Sequence, residues 1–138
     1  MEYLLRLVIA CIMGFIMGLT SNLEDNTQSS RVFSLICTGA ALLTILSLGI
    51  FQSMGVTAVG DPGRMPAQVI SALGFLGTGM IWVTEEKVVG ITDAASLWLT
   101  AILGMLIGAG MNHISVIGTI FFVLIYWITP HISIQRKK

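Results

Sequence analysis

Residues 61–79 read DPGRMPAQVISALGFLGTG, a charged turn with two prolines that opens into an apolar segment threaded with glycine. Arg64, Gln68 and Ser71 recur at i+4 and i+3, so one helical face carries all three. Gly74, Gly77 and Gly79 follow on the same segment. Polar side chains are tolerated in lipid where they face protein or water, and glycines let a neighbouring backbone approach. The pattern predicts a transmembrane helix over about 64–83, the most enclosed of its bundle. Asp61 before Pro62 matches an N-cap followed by proline at the first helical position. Pro66 inside the helix would remove a backbone hydrogen bond, which predicts either a kinked first turn or a later start.

The rest of the chain has the composition of a membrane protein. Of its 138 residues 55% are hydrophobic and 10% charged, against about 25% charged in soluble domains. The mean hydropathy is +0.91. Apolar runs predict four further spans at about 3–20, 31–51, 92–110 and 113–130, giving an all-α transmembrane bundle of five spans in one domain. Residues 20–30, TSNLEDNTQSS, read as a loop, with Ser29 or Ser30 capping the second span and Arg31 anchoring it. Residues 84–90, TEEKVVG, read as a charged hairpin and Met111 to His113 as a tight turn. Tyr126 and Trp127 stand where interfacial aromatics are expected.

Small residues repeat at helical spacing. Ala10, Gly14 and Gly18 share a face of the first span, Gly39-Ala40-Ala41 thins the second, and Gly74 pairs with Thr78 in the third. In the fourth, Ser96, Thr100, Gly104, Gly108 and Asn112 follow one another at i+4. These faces predict close helix contacts, within the chain or with a second copy.

Charge excludes some functions and orients the chain. Lys+Arg 7 balances Asp+Glu 7, so no basic surface for nucleic acid is expected. Grouping Arg31, Lys87 and the tail Arg136-Lys137-Lys138 against Arg6 and Arg64 puts the C-terminus in the cytoplasm. Asp93 enters the fourth span, where it serves either as a proton or cation group or, after Thr92, as a cap at the positive end of the helix dipole. It is expected on the same membrane side as Arg31, which predicts an ion pair. No nucleophile with a base, phosphate loop or metal-spaced His/Cys set is present, so no enzyme is expected; His113 and His131 read as interfacial. Glu24, Asp25, Glu85 and Glu86 are solvated loop acids, able at most to attract hydrated Mg²⁺. Cys11 and Cys37 read as buried free thiols. Val8-Ile9-Ala10-Cys11 imitates a lipoprotein cleavage site but lies too near Met1.

Taken together, Gly14 to Gly18, Arg31, Gly39-Ala40-Ala41-Leu42, Asp61-Pro62, Arg64, Ala67-Gln68-Val69, Gly74-Phe75-Leu76-Gly77-Thr78-Gly79, Gly90-Ile91-Thr92, Ala94 to Ala101 with Trp98, and Gly104 to Gly110 resemble the MgtC/SapB family of bacterial membrane proteins. The chain departs from the family pattern at Thr20 and Ser21, where an acidic-basic pair is usual, at Phe33, where His is usual, and at Asp93, where Thr is common. It ends after the fifth span, like a short member without the soluble C-terminal domain. The resemblance implies an inner-membrane protein linked to magnesium limitation, to intracellular survival in pathogens and, in some members, to modulation of the ATP synthase.

The expected function is a non-enzymatic, homo-oligomeric regulator in the lipid bilayer. Its glycine faces bind helices of itself or of a partner such as ATP synthase, and Asp61, Arg64 and Gln68 fix the third helix. No cofactor is expected. The alternative is a small Mg²⁺, cation or proton transporter, for which Asp93, Gln68 and Arg64 are the polar groups.

Overall fold

The computed structural model describes residues 1–21, 26–55, 61–83 and 87–134. Its elements in order are α1 (Glu2–Thr20), α2 (Asn26–Ser53), α3 (Arg64–Gly79), the two-residue strands β1 (Trp82–Val83) and β2 (Val88–Val89), α4 (Ile91–Gly108) and α5 (Asn112–Ile134). The fold is an all-α bundle in which successive helices alternate in direction. Glu2–Thr20, Ser29–Ser53 and Ile91–Gly108 are long and apolar enough to cross a membrane.

Four boundaries differ from the sequence expectation. The α2 helix starts at Asn26, so Ser29 and Ser30 lie inside it, both 1% exposed, rather than at its start. Asp61 does not cap α3 either, because Gly63 holds that position. Asp61 Oδ1 instead accepts the Gly63 N–H at 2.7 Å, and its carbonyl accepts the Arg64 N–H at 3.2 Å. This Asx-type turn uses the carboxylate before the helix begins. Pro66 is then the third helical residue, where an N–H has no helical acceptor to lose.

The third difference is length. At 16 residues, α3 rises about 24 Å, short of a hydrocarbon core of about 30 Å. Trp82 and Val83, expected inside it, pair antiparallel with Val89 and Val88. Gly90 closes this hairpin at φ +90, a left-handed conformation that a side chain strains, and a Cβ there would meet the Met80 carbonyl. Fourth, Gly110 at φ +85 makes the turn after α4, and α5 begins at Asn112, inside the expected turn.

Helix α4 is the centre of the bundle, touching α1, α2, α3 and α5. Three clusters of buried side chains surround it. Ile107 packs with Ala10, Cys37 and Ala41, Leu103 with Met17, Phe33 and Phe122, and Leu97 and Ala101 with Ala40 and Leu73. The expectation that the third segment would be the most enclosed is corrected: only Leu73 and Gly77 of α3 are buried, against eight residues of α4. A glycine-rich helix can enter a bundle, but the bulky apolar residues that fill this core belong to α4 and its neighbours.

Candidate functional site

The small residues of α1 and α4 are where backbones meet. A Cβ added to Gly104 would strike the Cys37 carbonyl of α2, and one at Gly108 would lie 2.9 Å from Thr44 Cβ and 3.0 Å from Ala41 Cα. On the same face of α2, a Cβ on Gly14 would lie 2.6 Å from the Phe33 carbonyl and 2.7 Å from Ser34 Cα, while one on Gly18 would strike Ser30 Cα. Four of the expected contact glycines therefore lie where α1 and α4, themselves in contact, both meet α2. Thr100 joins them, fully buried, its hydroxyl donating to Ser96 O at 2.8 Å and lying 3.6 Å from Met17 Sδ. The run from Ser96 to Gly108 faces inward, whereas Asn112 lies beyond the Gly110 turn, its Oδ1 buried without a hydrogen-bond partner.

The third-segment glycines divide. A Cβ on Gly77 would rest 3.6 Å from Ala94 Cβ, an ordinary contact, but Gly74 and Gly79 have nothing within 4 Å. Arg64, Gln68, Ser71 and Thr78 are likewise exposed. The Arg64/Gln68/Ser71 stripe thus faces away from the bundle.

At the start of α4, Gly90 is the N-cap and supplies no side-chain cap. Asp93 sits in the first turn, favourably for the helix dipole, but its Oδ1 is buried with no hydrogen-bond partner. The expected ion pair with Arg31 does not form, and Arg31 is exposed. The reason is register: Cys37 lies against Gly104 and Ala41 against Gly108, so Arg31 stands level with Trp98, about 7.5 Å along the axis from Asp93. Trp98 itself is 43% exposed, and Thr92 lends its carbonyl to the Ser96 hydroxyl at 2.7 Å.

Arg6 is the polar residue whose role the sequence reading missed. Its Nη1 donates to Gly108 O at 2.8 Å, its Nη2 pairs with Glu2, and its guanidinium lies 5.8 Å from the Tyr3 ring centre. The signal was present as an arginine in an apolar run with an acid four residues before it.

The departures in the first loop are satisfied locally. The Thr20 hydroxyl donates to Met17 O and that of Ser21 to Gly18 O, each at 2.8 Å. Ser29 adds a bond to Gly18 O at 3.1 Å and pairs with Ser21. Phe33 is a fully buried core residue. Cys37 is buried as expected, but Cys11 is exposed, since it lies on the outer face of α1. Glu24, Asp25, Glu85, Glu86 and the basic tail lie outside the described residues, as do the side chains of Tyr126 and His131. Among the described residues no group of three His, Cys, Asp or Glu is placed to hold a metal ion.

Comparison with known proteins places this architecture. The sequence model of the MgtC family matches residues 7–134. The "Putative magnesium transporter YhiD" of Escherichia coli K12 is 36% identical over 126 residues, covering 90% of this chain and 59% of that protein. "Protein SrpB" of Synechococcus elongatus is 32% identical over 127 residues, 86% of this chain and 70% of that protein. "Protein MgtC" of Salmonella typhimurium is 33% identical over 118 residues, 86% of this chain and 48% of that protein. The chain thus spans between about half and three fifths of YhiD and MgtC. No solved structure matches it. A match over nearly the whole chain to a membrane-protein family, on a bundle of apolar helices, makes this chain a member of the MgtC family.

Proposed function

We propose that this chain is a multi-pass protein of the bacterial inner membrane that acts, without catalysis, by associating with other membrane helices when magnesium is scarce. The observation that carries the reading is the closed centre of the bundle. Gly104 and Gly108 bring the backbones of α4 and α2 into contact, and Met17, Phe33, Leu103 and Phe122 fill the space beside them. Such a centre is a packed core, suited to presenting its outer faces to partners. The magnesium link rests on the similarity to proteins named for MgtC and for magnesium transport. The partner is a second copy or a larger membrane complex such as ATP synthase, and the C-terminal tail faces the cytoplasm by the distribution of Lys and Arg.

A transport reading is the rival, favoured by the unpartnered Asp93 Oδ1 and by the name of the YhiD relative. Purified protein in liposomes separates the two. Under the regulatory reading, Mg²⁺ and H⁺ flux matches empty vesicles, while expression in a bacterial host restores growth at low magnesium and lowers ATP-driven proton pumping in inverted vesicles. Saturable flux that Asp93→Asn abolishes would overturn it.

A further inference from the structure

The outward faces of the helices differ in chemistry. Those of α1 and α5 carry bulky apolar residues, among them Leu4, Val8, Ile12 and Phe15 on α1 and Ile117 and Phe121 on α5, as lipid-facing helices should. The outward face of α3 instead carries Gln68, Ser71, Gly74 and Thr78 beside Phe75, which is 81% exposed. At helix depth such polar groups are costly against lipid, and open glycines there gain nothing from it.

Beside this face runs a groove of about 360 Å³ between α2 and α3, lined by Leu43, Met65, Gln68, Val69 and Ala72. One turn from Leu43 on α2 stands Gly39, exposed and with nothing within 4 Å of a Cβ. The face therefore offers a projecting ring, a recess and a hydrogen-bonding amide within a few turns. We propose that a second copy of this chain docks here, the two related by a two-fold axis along the membrane normal. This rests on the association reading above and names its face.

A two-fold axis keeps equivalent residues at equal depth. Gln68 then meets Gln68 of the second copy, and a carboxamide, holding both donors and an acceptor, is complementary to itself. Helical side chains lean towards the N-terminus, so the Phe75 ring lies about level with residues 71 and 72. There it faces the recess formed in the other copy by Ala72 and Gly39. Each copy supplies both ring and recess. The first-turn Arg64, at the membrane edge, keeps its charge in water.

Disulfide trapping in native membranes tests the assignment. In a Cys11→Ser background, with the buried Cys37 retained, Ser71→Cys and Gln68→Cys give a dimer on mild oxidation, whereas Ile117→Cys on α5 does not. In the Ser71→Cys protein, Gln68→Leu lowers the trapped fraction about 3-fold, the scale of one polar contact between membrane helices. Energy transfer between labelled copies in liposomes falls likewise and persists on moderate lipid dilution, without depending on a cysteine in the interface. Trapping at Ile117 equal to that at Ser71, trapping only to another protein, or transfer that Gln68→Leu leaves unchanged, overturns the proposal. Failure here with no magnesium flux in liposomes removes the docking face and leaves the regulator; flux removes the regulator whether or not dimers form.

Discussion

Arg6 is tolerated in an apolar helix because α4 ends beside it. The last carbonyls of a helix have no partner of their own, and the negative end of the dipole favours a cation. The bond to Gly108 O meets both needs. Glu2 is 73% exposed, so its side of the ion pair contributes little. Arg6→Gln is expected to lower stability in detergent by about 1.5–3 kcal/mol, and Glu2→Gln by less than about 1 kcal/mol, as read from unfolding followed by circular dichroism. Equal losses would place the energy in the ion pair instead. Gly90→Ala is expected to cost about 1–2 kcal/mol from its positive φ alone, with more from the Met80 carbonyl, so the same assay should show it clearly destabilised. The residue roles were only partly legible. The sequence marks Asp93 as an acid entering a helix, but the absence of a pair with Arg31 depends on how α2 and α4 are registered. That register is set by which small residues meet, and no single segment contains it.

At the scale of the helix, glycine means two different things in this chain. Gly104 and Gly108 are buried against α2, while Gly74 faces open space. Alanine separates them. Gly104→Ala forces a methyl into the Cys37 carbonyl and is expected to cost about 1–3 kcal/mol or more. Gly74→Ala meets nothing in the same copy and is expected to stabilise the isolated helix by up to about 1 kcal/mol. Thermal melting of both variants in one detergent checks this; a similar loss in both would mean that α3 packs inward. Leucine at Gly104 and Gly108 is expected to unfold the single chain, since both glycines pack against α2 within it. Spacing at i+4 announced a contact face on α4; in the structure Gly104 and Gly108 lie against α2 and Thr100 beside Met17. Equally suggestive glycines on α3 were read the same way. Spacing identifies a face but not what lies opposite it.

For the whole molecule, the five apolar segments and their charged or glycine-bearing breaks made the all-α bundle readable. The hairpin expected at 84–90 is present, Val88 and Val89 pairing with Val83 and Trp82, but the early end of α3 was missed, since Ile81, Trp82 and Val83 are as apolar as a helix requires. The polar stripe and glycines of the third segment pointed to it as the most enclosed helix, a place that α4 holds. In the proposed topology five crossings put the two ends of the chain on opposite sides, with the tail cytoplasmic by the distribution of Lys and Arg. Reporter fusions at residues 1 and 138 should therefore report opposite compartments, with the cytoplasmic signal at 138; the same compartment for both would remove one crossing.

The central helix is also the fourth to leave the ribosome. Its predecessors enter the bilayer before the element they pack around exists. The α1 and α2 helices can wait as a pair, since Gly14 and Gly18 already join them, but α3 has α4 as its main neighbour. Folding after insertion is then a closure around a late arrival, and a chain stopped at Gly90 should be cleared by membrane proteases much faster than one stopped at Gly110.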